Sequence, residues 1–313
     1  MNPEARMPAR EIFSQAVLEL LQNRDDLLVL DQDRAFETGT CRVAETLPQK
    51  FLMFGASETN LVGAAAGLAA MGITVWIAGF DGTQIRQTLE QWCSVIGPAM
   101  LNVKLAGYCG GTSQPDSGED CDTQDIALMS SVPNMTIVAP GDAPEAIQAI
   151  FAVSAQAGPA YVRLAALPPE ARCPEHPESQ HGQPVVLRDG ADVVMVCTGR
   201  QTGKAVHAAT ILETVGISAR ILHVATIQPL FRAAIIDAIR GVRLVVTAEE
   251  HGIRGGLGEA VAEVLAPGEF PPLMRLGFQP GVGMTVREGG PEGEELNASH
   301  MAERIHGWLR RGA

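Results

Sequence analysis

The chain has 313 residues, 46% of them apolar and 19% charged. That is enough apolar material for two packed domains of roughly 100–200 residues each, and too much for a disordered chain. Its 36 Asp and Glu against 23 Lys and Arg give a formal net charge of -13, which argues against a general nucleic-acid binder, because such a protein needs a basic face.

The chain begins Met1-Asn-Pro-Glu-Ala-Arg6, charged and with no apolar core behind it, so no secretory signal is expected. Apolar residues at helical spacing predict a helix over 8–22, and Leu27–Asp31 (LLVLD) reads as a short buried strand. Residues 58–71 (ETNLVGAAAGLAAM) read as a small-residue helix and 74–78 (TVWIA) as the next strand. An amphipathic segment follows at 84–95, then strands at 101–105 and 135–139, a helix at 143–157 and a strand at 160–164. From Leu167 to Gly190 the chain holds five prolines and many charges, as a linker does. Beyond it the same grammar returns: strands at 193–197, 219–222 and 244–247, helices near 202–215, 231–240 and 256–265. No internal repeat stands out, and no run of about 18 apolar residues offers a membrane span.

Strands alternating with helices of this length predict two α/β domains, each a parallel sheet in a three-layer arrangement. The boundaries are placed at 1–168 and 188–313, with 169–187 as the linker. The six cysteines (41, 93, 109, 121, 173 and 197) form no CxxC pair and no disulfide framework. Reduced thiols in a cytoplasmic protein are therefore expected. His and Cys are scattered rather than grouped at ligand spacing, so no metal-ligating set is assigned to this chain.

In parallel sheets, ligands bind beyond the carboxyl ends of the strands. Asp31 and Asp33 follow the first strand, Phe80, Asp81 and Gly82 follow that at 74–78, and a long stretch rich in Gly, Ser and Asp (107–125) follows that at 101–105. Glu58 opens the small-residue helix and has two readings. It complements the helix dipole, or it is a partly buried carboxylate poised to exchange a proton. The glycines and alanines behind it suit close approach of another element, as at a subunit interface, and equally suit tight packing of helix on sheet. Cys109 reads as a loop filler or a site residue. The acidic set Asp116, Glu119, Asp120, Asp122 and Asp125 reads as a solvated loop or as one that repels phosphate. Glu249, Glu250 and His251 read as structural within the second domain.

Several stretches resemble, in order, the C-terminal half of transketolase and 1-deoxyxylulose-5-phosphate synthase, above all the separately encoded small subunit of split transketolases. They are VLDQD (29–33), FGASETNLVGAAAGLAAMG (54–72), LNVKLAG (101–107), DIALMSSVPNMTIVAPGDAPEA (125–146), GADVV (190–194), Pro229-Leu230, TAEEHG (247–252) and GGLG (255–258). The β subunit of 2-oxo acid dehydrogenases shares the two-domain layout but fits these stretches less well. The resemblance implies a pyrimidine-binding domain for thiamine diphosphate followed by a transketolase C-terminal domain. It places Glu58 on the family glutamate that hydrogen-bonds N1′ of the aminopyrimidine. A carboxylate there favours the tautomer whose exocyclic nitrogen removes the thiazolium C2 proton. It also places Phe80 on a position lining the aminopyrimidine pocket, and Asp33 on an acidic position near the cofactor and the dimer seam.

The family holds Mg2+ and the diphosphate through a GDG motif with a later Asn, and no GDG occurs in this chain. A diphosphate needs a divalent metal and oriented N–H donors. The resemblance thus implies an N-terminal transketolase-type partner that brings the metal ligands, in a heterotetramer with the cofactor between the two kinds of chain. Four positions depart from the classical pattern. Thr83 stands where a stacking aromatic is usual. Cys109 and Asp120, or a neighbour of Asp120, stand where histidines are usual, and Ala166 stands where an Arg grips the sugar phosphate. The expectation is a two-carbon ketol transferase acting on something other than an ordinary sugar phosphate, with Cys109 and Asp120 facing it, or one whose substrate phosphate is held elsewhere. A 2-oxo acid decarboxylase with acyl transfer and a non-catalytic scaffold are the alternatives.

Overall fold

In the computed structural model, described for residues 7–108, 120–167, 182–278, 285–287 and 296–311, the chain folds around two sheets. In chain order the first half contains α1 (Ala9–Asn23), β1 (Leu27–Asp31), α2 (Ala35–Thr38), α3 (Cys41–Thr46), β2 (Phe51–Met53), α4 (Glu58–Ala70), β3 (Thr74–Phe80) and α5 (Gly82–Gln91). After a π-helical turn at Trp92–Ile96 come β4 (Val103–Tyr108), β5 (Asp120–Asp122), α6 (Asp125–Ser130), β6 (Thr136–Val138), α7 (Ala143–Ala155) and β7 (Ala160–Leu164). The second half contains β8 (Val185–Arg188), β9 (Val193–Cys197), α8 (Gln201–Glu213), β10 (Ala219–His223), β11 (Thr226–Gln228), α9 (Arg232–Ala238), β12 (Leu244–Gly252), α10 (Leu257–Leu265), β13 (Leu273–Phe278), β14 (Thr285–Arg287) and α11 (Ala298–Arg311).

Strands covered on both faces are written as unbroken apolar runs. β3, β7 and β9 are buried at every position. On one side of the first sheet lies α1, whose Ile12, Phe13, Ala16, Val17, Leu20 and Leu21 recur at helical spacing and are buried. A fully buried Ile, Phe or Val contributes roughly 1.5–3 kcal/mol. These residues belong to one apolar cluster with α7, β9, α8 and Met301 and Ile305 of α11, so the two halves share a core. On the other side α4 and the segment 85–96 bury Leu61, Val62, Ile85 and Trp92 against Leu30, Ile77 and Phe80. The helix after β3 starts at Gly82 because Asp81 caps it: its side chain accepts from the N–H of Thr83 and Gln84, while Gln84 Oε1 accepts from the N–H of Asp81.

The sheets are mostly parallel, as the sequence predicts, each with one antiparallel exception. The first has the order β11-β6-β7-β4-β3-β1-β2 and the second β13-β12-β9-β10-β8. Each carries one antiparallel edge strand, β11 on β6 and β8 on β10. β11 comes from the second half of the chain yet completes the first sheet, and the N–H of Ala139 donates to the carbonyl of Ala225 beside it (2.8 Å). β8 begins inside the stretch expected as linker. A further two-stranded ribbon pairs β14 antiparallel with β5, again joining the two halves.

Candidate functional site

The carboxyl ends of β1, β2 and β3 lie side by side, since β1 pairs with both neighbours. Just after β2 the N–H of Phe54 donates to the carbonyl of Asp31 (2.9 Å), which ties this turn to β1. Gly55 then takes a left-handed φ of 67°, where a glycine is favoured, and the N–H of Ser57 donates back to its carbonyl. The turn is tight enough that Glu58 is the first helical residue of α4. Ser57 occupies the capping position without a side-chain cap. The half-buried Glu58 carboxylate makes no hydrogen bond and no ion pair with any described residue. A carboxylate held on a rigid helix start and left unpaired is ready to accept a hydrogen bond from an incoming donor.

The other expected site residues fall around it with different surroundings. Asp33 is exposed on the turn that follows β1. Thr83 is exposed in the first turn of α5, its hydroxyl accepting from Arg86 (3.3 Å). Phe80, at the end of β3, is only 1% exposed, and its ring belongs to the apolar core beneath α4 rather than to an open wall. Asp120 is the first residue of β5, where its backbone pairs with Arg287. Cys109 lies outside the described residues, as do Asp116 and Glu119. Among the described residues no group of three or more His, Cys, Asp and Glu side chains could hold a metal ion.

Polar residues that sequence reasoning left without a role support this edge from below. Asp31 is fully buried and accepts from the hydroxyls of Thr38 and Thr40 (2.5 Å for Thr40), while Tyr108 donates to the carbonyl of Thr38 (2.6 Å). Burial raises the Asp31 pKa above the ordinary carboxylate value, against the pull of those hydroxyls. Gly79 is required here: a Cβ on it would overlap the Thr38 methyl, and its φ is 71°. Gln32 Oε1 accepts from Gln84 Nε2 (2.8 Å), and Gln32 Nε2 is buried without a partner among the described residues. Short polar residues after a strand are the signal for such a net, but the partners are set by the turn that brings 38 and 40 back.

A second charged cluster lies where the two halves meet. Arg163 on β7 donates through Nε to Asp125 Oδ2 (2.6 Å), through Nη1 to Glu250 Oε1 (3.2 Å) and through Nη2 to the Glu250 carbonyl (3.2 Å). Tyr161 also donates to Asp125 (2.7 Å), and Arg200 donates to Glu250 Oε2 (2.6 Å). Burial opposes the Asp125 charge most, but Arg163, His251 and Tyr161 outweigh it and hold the carboxyl below its ordinary range. His251 Nε2 accepts from the N–H of Ala127 (3.2 Å) and Nδ1 donates to the Gly252 carbonyl (2.7 Å), so the ring is neutral, and burial depresses its pKa to about 4. Glu249 accepts from the N–H of Leu257 and Gly258 at the start of α10, and burial pushes its carboxyl up to about 7. Glu249–His251 are thus structural, as expected, and Glu250 and His251 reach across to the first half.

The fold is thus two α/β units, the second lending β11 to the sheet of the first, with Glu58 unpaired among the described residues at the carboxyl edge of that sheet. Family models for the transketolase pyrimidine-binding domain (residues 5–166) and the transketolase C-terminal domain (residues 182–279) match the chain. The chain belongs to the transketolase family, whose members depend on thiamine diphosphate. It is 32% identical over 271 residues to the 6-deoxy-6-sulfo-D-fructose transketolase subunit SqwH of Clostridium sp. (strain MSTE9), covering 86% of this chain and 84% of that one. It is 30% identical over 264 residues to an apulose-4-phosphate transketolase subunit of Phocaeicola vulgatus (strain ATCC 8482), covering 84% and 85%. Among solved structures it resembles a split-gene transketolase solved as an inactive β4 tetramer, with a TM-score of 0.85, 32% identity and coverage of 96% of this chain and 97% of that one.

Proposed function

We propose that this chain is the small subunit of a heteromeric, thiamine-diphosphate-dependent transketolase that moves a two-carbon ketol unit between atypical sugars. The observation that carries the reading is Glu58: a carboxylate at the carboxyl edge, fixed by a glycine turn and left without any partner in the described chain. A lone acceptor of this kind fits the aminopyrimidine of the cofactor, which presents a protonatable ring nitrogen. Thiamine diphosphate, when bound, supplies the electron sink that permits cleavage of a C–C bond next to a carbonyl. Glu58 would accept the hydrogen bond from N1′ and keep that nitrogen protonated. Asp33 and Thr83 flank the same edge and would bound the cofactor, and Phe80 would support the pocket from beneath rather than stack in it. Cys109 and Asp120 would face the substrate.

The metal and diphosphate ligands are assigned to an N-terminal transketolase-type partner, in a heterotetramer. The absence of GDG from the sequence supports this, as does the similarity to proteins named as transketolase subunits. The departures at Thr83, Cys109, Asp120 and Ala166 support a substrate outside the ordinary sugar phosphates, and the relatives' names point to 6-deoxy-6-sulfo-D-fructose and to apulose 4-phosphate. A cytoplasmic location accords with the free thiols of Cys41, Cys93 and Cys197.

The test is reconstitution with the partner, thiamine diphosphate and Mg2+, offering a ketose and a 2-oxo acid in parallel as donors. Ketol transfer from the ketose that falls about 10²- to 10⁴-fold in Glu58→Gln is expected. Acyl transfer from the 2-oxo acid would favour the decarboxylase reading. No calorimetric binding of thiamine diphosphate to the assembled complex would favour a scaffold.

A further inference from the structure

We propose that Phe36 is the anchor on which the N-terminal transketolase-type partner docks, with Met53 beside it, on the rim of the edge that carries Glu58. This rests on the split-subunit reading above. Phe36 lies in the short helix α2 and is 85% exposed, more than any other large apolar side chain among the described residues. Every other described Phe, Tyr and Trp is buried or half-buried. An exposed aromatic on a loose loop would mean little, but the turn beneath this one is fixed from several sides.

The Thr38 and Thr40 hydroxyls donate to the buried Asp31 carboxylate, and Tyr108 donates to the Thr38 carbonyl (2.6 Å). Arg34 Nε donates to Glu37 Oε2 across the same turn (2.5 Å). Gly39 closes it at a φ of 81°, and a Cβ there would overlap the Arg10 carbonyl. These bonds hold residues 34–40 in place, and none of them buries the Phe36 ring. A rigid turn that keeps an aromatic ring in water has little conformational entropy left to lose on association, and the ring gains by being covered.

The position of the turn indicates what covers it. α2 leaves the carboxyl end of β1, and the turn that opens α4 at Glu58 leaves the carboxyl end of β2, the strand paired with β1. The N–H of Phe54 on the Asp31 carbonyl (2.9 Å) joins the two exits. Met53 is the register partner of Asp31, so its exposed side chain lies on the face of the sheet to which Asp31 holds α2. Among the described residues no strand pairs with the outer side of β2, the last of its sheet. The sequence has no GDG, and the described residues hold no metal-ligating group. On the proposed function the chain that completes the cofactor site must approach this edge, and Phe36 and Met53 stand at it.

The experiment titrates the purified chain with the purified partner bearing GDG by calorimetry, and sediments the chain alone. Phe36→Ala is expected to weaken partner binding about 30-fold, as loss of an interface hot spot does, and Met53→Ala to weaken it less. Met71 is the control. It is 82% exposed at the other end of the 13-residue α4, about 20 Å from Glu58, and Met71→Ala should change affinity by less than about twofold. The urea midpoint of the free chain should not move in Phe36→Ala. Wild-type affinity in Phe36→Ala overturns the proposal, as does an equal loss in Met71→Ala. A lowered urea midpoint would show that the ring packs within its own chain, and an effect confined to self-association would give the surface to a second copy; either overturns it too. A wild-type chain that binds no GDG-bearing partner would instead overturn the reading on which the proposal rests.

Discussion

Two regions of this molecule bring charged side chains to the carboxyl ends of strands, and they use them in opposite ways. At the seam between the halves, Asp125, Arg163 and Glu250 are buried, Arg200 is half-buried, and each charge is met by another. At the edge formed by β1, β2 and β3, Glu58 is half-buried and meets none among the described residues. A buried ionic cluster completes its own electrostatics and so adds order, whereas a lone carboxylate on a rigid turn keeps its capacity for something that arrives later. The seam builds the scaffold, and the proposed function places the chemistry at the edge.

The sharpest way to break that contrast is to separate activity from stability. Glu58→Gln should cut ketol transfer about 10²- to 10⁴-fold in the assembled enzyme while moving the urea midpoint by less than about 0.5 kcal/mol of stability. A comparable loss of stability would mean that Glu58 belongs to the scaffold. Arg163→Ala should do the reverse, costing about 3–5 kcal/mol in urea unfolding because it strands two buried carboxylates. A cost under about 1 kcal/mol would show that the cluster is solvated.

Acidity sharpens the contrast further. The Glu249 carboxyl is held near 7, above its ordinary 4.5, so the folded chain binds the extra proton between those values. Its contribution to stability is present below pH 4.5 and is lost as pH rises towards 7. His251 is depressed from 6.5 to about 4, so the unfolded chain binds the extra proton there, and its contribution is lost as pH falls from 6.5 towards 4. The two slopes oppose each other between pH 4.5 and 6.5, at roughly 3 kcal/mol each over their full ranges. Glu249→Gln removes the falling one. Its stability relative to wild type should therefore climb across that window in chemical denaturation, and a flat difference would refute the assignment.

Smaller effects mark the flanks of each region. Asp142 caps α7 at the seam, accepting from the Glu145 N–H (2.8 Å), and Asp142→Ala should cost about 1–2 kcal/mol by thermal unfolding. Thr83 is exposed at the open edge, and Thr83→Ala should change stability by less than about 0.5 kcal/mol. A larger cost at Thr83 than at Asp142 would invert the picture.

The elements with the strongest local signals were legible in the residues: the apolar runs of β3, β7 and β9, the periodic face of α1, and Glu58 at the head of a small-residue helix. The resemblance in 54–72 and 247–258 extended this to a family and a cofactor. Elements with weak local signals were missed. β2 has three residues and sits at an edge, and β11 and β14 are three-residue strands whose only reason to be strands is the partner each one finds. Phe80 was expected to line a pocket, and only the packing of α4 over it decides that its ring is core.

By itself the sequence determined the alternation of strands and helices, the small-residue helix and the identity of its first carboxylate, because periodicity and turn chemistry act over a few residues. Tertiary structure alone decided that the second half lends a strand to the first sheet, and that Arg163 joins carboxylates 38 residues back and 87 residues ahead. Such pairings depend on which distant groups are desolvated together, and no local pattern of residues records that.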